Sequence, residues 1–188
     1  MKLASLSLFL LSSFAAVAQA QNIIETLSGF SLYVYPTSNK TDLRPVKLVS
    51  ETTDRYTMLT CNDQFCGATR PESWYLKDKV LIPGLIQLAI YTMTDQPVPK
   101  NTSPSFIRVK VGNPVPKYPI YTIDSPSKVV TKGLLAVNGY TTKWSLCNNL
   151  IPTFAPTDRF DIFFDANPKA AVYPRGACVP AGILVTVP

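Results

Sequence analysis

Apolar and polar residues alternate along much of the chain with a period of two, which is the spacing of a β-strand that buries one face. In the segment Phe30–Tyr35, Leu32 and Val34 fall on one side, and Tyr33 and Tyr35 fall on the other. The same pattern predicts about ten or eleven short strands separated by proline and glycine turns. The further predicted strands are Val46–Val49, Tyr56–Cys61, Trp74–Ile82, Leu85–Met93, Phe106–Val111, Ile120–Ile123, Val129–Thr131, Arg159–Asp165 and Gly182–Val187.

The stretch Gly133–Cys147 is predicted to be the centre of the fold. Its dipeptide Asn138-Gly139 separates two runs rich in apolar and β-branched residues. This dipeptide favours a two-residue type I′ turn because both of its residues tolerate positive φ. A regular hairpin would then pair Val137 with Tyr140, Leu135 with Thr142, and Gly133 with Trp144.

Strand parity in this hairpin also predicts which side chains are buried. Trp144 shares a face with Leu146 and is assigned to the core, whereas Cys147 falls on the opposite, polar face. We therefore expect either that a disulfide at Cys147 lies outside the main core or that a bulge intervenes.

The fold class predicted from these patterns is all-β, a single-domain β-sandwich or barrel-like antiparallel fold with two disulfides. The chain contains 17 prolines, which would break most helices of normal length. No repeat period indicates a solenoid or a propeller. We expect one secreted β-domain over residues 21–188, because that length suits a single hydrophobic core.

Residues 1–20 have the features of a cleaved signal peptide. Lys2 precedes an apolar run, and Ala18-Gln19-Ala20 is a small-x-small cleavage site. The run contains several serines and is shorter than the ~18–20 residues that a membrane span requires. The sequence therefore predicts a secreted protein, extracellular or held in a cell wall, without a membrane span.

The four cysteines, Cys61, Cys66, Cys147 and Cys178, are even in number, which predicts two disulfides in an exported chain. Three connectivities are possible. The preferred one joins Cys61 to Cys66, closing a small loop, and Cys147 to Cys178, tying the hairpin to the last strand.

Charge and composition exclude several classes of function. The net charge is +6, but the basic residues are dispersed rather than clustered in a stripe, so nucleic acid is not an expected partner. A cationic surface could instead meet an acidic matrix. The chain has no histidine, which removes Ser-His-Asp and Cys-His catalysis and imidazole-bound metals. We expect no enzyme activity, no cofactor and no metal.

Carboxylates are the remaining source of catalytic or metal-binding chemistry. Asp158, Asp161 and Asp165 form the best local cluster, but Asp161 and Asp165 would lie ~13 Å apart along a strand, which exceeds the usual separation in an inverting glycosidase. We interpret the cluster as structural, with a calcium site and catalysis as the alternatives. Residues Asn62, Asp63 and Gln64 are likewise interpreted as turn residues rather than as cation ligands.

Aromatic side chains and sequons supply the other candidate sites. Tyr33, Trp74 and Tyr75 are the candidates for an exposed platform that stacks on carbohydrate, with burial in the core as the alternative for each. Asn39 and Asn101 stand in Asn-x-Ser/Thr sequons and are the expected glycosylation sites, although Pro104 directly follows the second sequon.

The second half of the chain resembles small secreted fungal cell-wall proteins of the PhiA type. The resemblance rests on the run Gly133–Tyr140, on Trp144-Ser-Leu-Cys147, on the aromatic strand Phe160–Phe164, and on Cys178 followed by a terminal strand. It implies a glycosylated, non-enzymatic wall protein with no catalytic residues, and it leaves Cys61 and Cys66 without counterparts.

These observations lead to three hypotheses for the function. The first is a secreted structural or surface protein of a fungal-type cell wall, whose partner is wall polysaccharide or a glycoprotein matrix. The second is a carbohydrate-binding module that uses surface aromatics. The third is a secreted effector or inhibitor that binds another protein through an exposed loop, for which Thr94–Pro104 is the candidate.

Overall fold

The computed structural model describes residues 22–61, 68–71, 73–84, 90–94, 97–110, 121–148, 159–167 and 178–188. These ranges contain strands and turns but no helix, and every strand pair is antiparallel. The predicted all-β antiparallel fold class is confirmed. The strands are β1 (Asn22–Ile24), β2 (Leu27–Pro36), β3 (Arg44–Pro45), β4 (Lys47–Thr52), β5 (Arg55–Thr60), β6 (Ala68–Thr69), β7 (Ser73–Lys77), β8 (Val80–Gly84), β9 (Ile90–Thr94), β10 (Ser105–Lys110), β11 (Tyr121–Ser125), β12 (Lys132–Val137), β13 (Trp144–Asn148), β14 (Phe160–Phe164) and β15 (Cys178–Thr186).

Several sequence-based predictions concern residues outside these ranges. They include the leader over residues 1–20, the small loop with Cys66, the first part of the strand expected from Leu85, and Asp158. Within the described ranges, no helix is long and apolar enough to cross a membrane.

The last strand, β15, lies at the centre of the sheet. Along one edge, its residues Ala181–Thr186 pair with β2. Along the other edge it pairs first with β13, over Cys178–Ala181, and then with β12, over Leu184–Thr186. β12 and β13 therefore occupy successive parts of one edge, and the chain between them leaves that edge.

The predicted turn at Asn138-Gly139 is confirmed, but the predicted hairpin ladder is wrong beyond its first pair. The two turn residues have φ of 52° and 79°, and Val137 and Tyr140 exchange backbone hydrogen bonds of 3.0 and 3.2 Å. Leu135 does not pair with Thr142, nor Gly133 with Trp144, because β12 pairs with β11 and β15 while β13 pairs with β14 and β15. Each arm instead pairs with a different part of one edge of β15, so the two arms part after their first pair.

Trp144 connects the two arms at the point where they part. Its indole Nε1–H donates a buried hydrogen bond of 2.8 Å to the carbonyl of Leu135. The ring packs edge-on against Phe164, with centroids 6.3 Å apart. Trp144 is 1% exposed, so its predicted place in the core is confirmed.

Strand β2 passes from one part of the sheet to another through a bulge. Leu27 pairs with Leu76 and Phe30 with Trp74, so the register shifts between these pairs. Gly29, which lies in the shift, has a φ of 64°, a conformation that costs glycine little. The register shift lies just before the point where β2 passes from pairing with β7 to pairing with β15 at Ser31–Pro36.

The segment Trp74–Ile82, which the sequence pattern predicts as one strand, is a hairpin made of β7 and β8. Asp78 and Lys79 form its turn with φ of 48° and 65°. Glu25, which is distant in sequence, stabilises this turn. The Lys79 backbone N–H donates a hydrogen bond of 2.9 Å to the Glu25 carbonyl, and the Lys79 ammonium pairs with the Glu25 carboxylate at 2.8 Å. Tertiary contacts therefore supply what an Asn-Gly dipeptide would supply locally.

In the segment that the sequence predicts as a long exposed loop, Thr94–Pro104, Thr94 ends β9 and residues 97–104 fold back onto the sheet. Val98 is 4% exposed, and Pro104 is buried. The Asn138 side chain donates to the Val98 carbonyl at 3.3 Å. The predicted exposed loop is therefore anchored at Val98 and Pro104, whereas Pro97, Pro99 and Lys100 are exposed as expected.

The predicted disulfide between Cys147 and Cys178 is confirmed. The two residues lie directly opposite each other on β13 and β15, with Cα atoms 4.1 Å apart. Cys147 is fully buried but does not belong to the main hydrophobic cluster, so the expectation that the bridge lies outside the main core is correct. Cys61 is buried as well; its predicted partner Cys66 lies outside the described residues, and that pairing stays a prediction.

Replacing both cysteines of the bridge, Cys147→Ala with Cys178→Ala, should lower the free energy of unfolding by about 2–4 kcal/mol, because the bridge closes a loop in the unfolded chain. The sequence separation of 31 residues gives the size of that loop. Urea unfolding measures the effect. Ser145→Ala, a buried change on the same face of β13, is the control and should cost much less; an equal cost in both variants would contradict the assignment.

Candidate functional site

Three tyrosines share the outer face of the sheet, the face turned away from the main core. Tyr33 and Tyr35 alternate along β2 with buried Leu32 and Val34, and Tyr75 follows buried Trp74 on the neighbouring strand β7. We call Tyr33, Tyr35 and Tyr75 the tyrosine strip. Since Phe30 lies opposite Trp74, Tyr33 and Tyr75 are about four residues apart along the strand direction, or ~13 Å.

Two of these rings lie against glycine backbone. A Cβ on Gly182, which pairs with Tyr35 across β15 and β2, would come within 2.5 Å of the Tyr35 Cζ and hydroxyl oxygen. A Cβ on Gly84 of β8 would come within 3.0 Å of Tyr75 Cε2. Glycine therefore lets each ring lie close to the sheet, and an aromatic ring covering a cross-strand glycine is a known way to stabilise strand pairs.

The hydroxyl groups and one cation give the tyrosine strip polar character. The Ser73 hydroxyl donates to the Tyr75 hydroxyl at 2.8 Å. The Arg70 guanidinium lies 5.7 Å from the centre of the Tyr33 ring and donates to the Tyr33 hydroxyl at 3.1 Å. Arg70 is exposed, and Tyr75 retains 39% of its surface in contact with solvent. Aromatic faces bordered by polar groups suit ligands that have both C–H surfaces and hydroxyls.

Trp74 is buried, so the prediction that it belongs to an exposed aromatic platform is wrong. It is 2% exposed, lies opposite Phe30 and packs edge-on against Phe106 with centroids 6.0 Å apart. Adjacent residues of a strand point to opposite faces, so Trp74 and Tyr75 could not both face outward. Tyr75 is the exposed member of the pair, and Tyr33 is half-buried.

Sequence reasoning missed Arg70, Gly84 and Gly182 as parts of this surface. Arg70 lies in a loop, and no periodic pattern relates it to Tyr33. Gly84 follows Pro83, which suggests a turn, and Gly182 follows Ala181, another small residue. Which side chain lies across from each glycine depends on the strand register, and a single sequence does not reveal that register.

Two of the carboxylates suggested as an alternative site, Asp161 and Asp165, are engaged in ion pairs. Asp161 accepts from the Arg159 guanidinium at 3.2 Å. Asp165 lies 3.3 Å from the Lys100 ammonium and 3.4 Å from that of Lys143. Partial burial acts to raise the pKa of Asp165, but the two lysines outweigh it and hold the pKa below the ordinary value of 3.8. A general acid of a glycosidase needs the opposite shift.

No group of three or more His, Cys, Asp or Glu residues that could hold a metal ion occurs among the residues the structure describes. Asn62, Asp63 and Gln64, the residues weighed as cation ligands, lie outside the described ranges, as does Asp158.

Comparison of the chain with protein-family models, with curated proteins and with solved structures finds no match.

The Tyr35–Gly182 contact should be measurable as an interaction energy. Gly182→Ala should lower the free energy of unfolding by about 1–3 kcal/mol, because the added methyl overlaps the ring. In a Tyr35→Ala background the same change should cost much less. Urea unfolding of the native protein, both single variants and the double variant gives the coupling; an identical cost of Gly182→Ala in both backgrounds would contradict the contact.

Asp124 carries a carboxyl group in an apolar part of the outer face, opposite Ile23 on β1 and Leu134 on β12. Desolvation raises its pKa above the ordinary value of 3.8. A carboxyl whose pKa is raised by folding destabilises the folded state once the pH exceeds its unfolded pKa, and this cost disappears at lower pH, where both states hold the proton.

Asp124→Asn should therefore increase the free energy of unfolding at pH 7 and leave it nearly unchanged below pH 3.8, the ordinary value of the group. Denaturant unfolding of both proteins across the acid range measures the difference. Asp42→Asn is the opposite control: a hydrogen bond from Arg44 lowers the pKa of Asp42, so this change should decrease stability at pH 7. A gain from Asp124→Asn that persisted at pH 3 would contradict the desolvation argument.

Proposed function

We propose that the protein is a secreted, non-enzymatic component of a fungal-type cell wall or extracellular matrix, and that the tyrosine strip holds it against matrix polysaccharide. The observation that carries this proposal is the placement of Tyr33, Tyr35 and Tyr75 on one outer face, with two of the rings lying on glycine. The ligand is a polysaccharide with C–H faces for the rings and hydroxyls for Arg70 and the phenolic groups.

Support for a scaffold role comes from the organisation of the sheet. Antiparallel strands joined by a cross-strand bridge between Cys147 and Cys178 provide a rigid support for a surface, and they fit the resemblance to PhiA-type wall proteins. The predicted leader and the even number of cysteines fit export to an oxidising space. The net charge of +6 suits attraction to an acidic matrix.

Support for sugar contact comes from the shape of the surface. Close contact with the backbone at Gly182 and Gly84 restricts the Tyr35 and Tyr75 rings before a ligand binds, so binding requires less ordering of these side chains. Tyr33 and Tyr75 are spaced ~13 Å apart along the strand direction, so the two rings form a row and do not surround a pocket. A line of separated contacts suits an extended chain better than a small molecule.

Retention on insoluble chitin, β-glucan and cellulose tests the proposal. The native protein should be retained on at least one polymer, and Tyr75→Ala should bind it roughly two- to tenfold more weakly, the loss expected from one aromatic contact. The Tyr75 ring is a suitable target because its surface is 39% exposed, so its removal leaves the core intact.

Tyr140→Ala is the matched control, because Tyr140 is 48% exposed at the Asn138-Gly139 turn, outside the tyrosine strip. It should leave retention unchanged. Absence of retention on all three polymers, or equal losses in the two variants, would refute binding through the tyrosine strip. Finding the native protein only in culture fluid and never in extracted walls would refute the wall location.

A further inference from the structure

We propose that the two sequons have different roles: Asn39 carries an N-linked glycan, and Asn101 is a structural asparagine that stays unmodified. This inference rests on the export that the proposed function includes, but not on polysaccharide binding. Both asparagines satisfy the Asn-x-Ser/Thr pattern, so only their surroundings distinguish them.

Asn39 lies in an exposed loop between β2 and β3. Its side-chain oxygen accepts hydrogen bonds from the Thr41 backbone N–H at 3.3 Å and from the Thr41 hydroxyl at 2.7 Å. The side-chain nitrogen, which forms the bond to a glycan, takes no part in these contacts. The sequon is thus folded with its hydroxyl against the asparagine amide, and residues 37–41 are all exposed, which leaves room for a glycan.

Asn101 is fixed to the fold by both its backbone and its side chain. Its φ is 60°, a conformation that asparagine tolerates better than most residues. Its N–H donates to the Phe164 carbonyl at 2.8 Å, and its side-chain oxygen accepts from the Asn167 backbone N–H. Asn101 therefore holds the segment after β14 against the loop that precedes β10.

The rest of the second sequon is also engaged. Ser103, whose hydroxyl the sequon requires, donates to the Met58 carbonyl on β5 at 3.2 Å, and Thr102 forms an isolated bridge with Phe164. Pro104 disfavours turn conformations at Ser103 because its ring restricts the preceding residue to extended backbone. At the first sequon the Thr41 hydroxyl reaches the Asn39 side chain. In the unfolded chain, Pro104 opposes the corresponding approach of the Ser103 hydroxyl to Asn101, so modification of Asn101 is disfavoured before folding as well as after it.

Glycopeptide mapping of the full chain, secreted from a eukaryotic host, tests the assignment. Enzymatic removal of N-glycans in ¹⁸O-water should convert Asn39 to labelled Asp and leave Asn101 unlabelled. Asn39→Gln should reduce the mass of the secreted protein by one glycan, whereas Asn101→Asp should not. A glycan on Asn101, or a secreted protein with no glycan on Asn39, would overturn the proposal.

Running the same mapping with a leader of the host in place of residues 1–20 separates this inference from the proposed function. Failure of export with the protein's own leader alone would count against the proposed function. The occupancy of the two sequons would still be measured in the second arm.

The structural role of Asn101 has its own test. Asn101→Asp removes the sequon but keeps an oxygen acceptor and a residue that tolerates positive φ, whereas Asn101→Ala loses both. The Asp variant should melt close to the native protein, and the Ala variant should melt about 2–4 °C lower. Equal melting temperatures of the two variants would show that Asn101 has no such role.

Discussion

The pairing of β15 along both of its edges is the constraint on which the rest of the structure depends. β2, near the start of the described chain, pairs with the last strand through its residues Ser31–Pro36. The other edge of β15 pairs with β13 and then with β12. The β15 residues Ile183 and Val185 are 0% exposed and pack in the core. These contacts join opposite ends of the sequence, so the sheet cannot close from local pairings alone.

The same strand couples the core to the tyrosine strip. Ile183 and Val185 point inward, while Gly182 between Ala181 and Ile183 lies beneath the Tyr35 ring on the outer face. A change in the register of β15 by one residue would move the apolar side chains outward and place a side chain under the ring. The register that buries the core is therefore also the register that lets Tyr35 lie close to the sheet, and the Cys147–Cys178 bridge joins two residues at one end of it.

Local patterns in the sequence predict the strands and turns better than they predict which strands pair with each other. Alternation places Leu32 and Val34 opposite Tyr33 and Tyr35, and positive φ at Asn138-Gly139 follows from the chemistry of those two residues. The separation of β12 from β13 cannot be predicted in this way, because it depends on a strand that comes more than thirty residues later. The turn at Asp78 and Lys79 is missed for the same reason: Glu25 and Thr26 stabilise it from another strand connection.

The described carboxylates that form ion pairs lie in loops and near strand ends, outside the tyrosine strip. The aromatic groups that the tyrosine strip presents are uncharged. Asp42 accepts from Arg44 at 2.8 Å, Asp161 from Arg159, and Asp165 from two lysines. An ionic contact with a matrix would weaken as salt screens it, whereas stacking on a tyrosine ring involves no net charge and is screened little. If the protein is the wall component that we propose, its cationic surface would favour approach to the matrix, and the rings would maintain contact as the ionic strength varies.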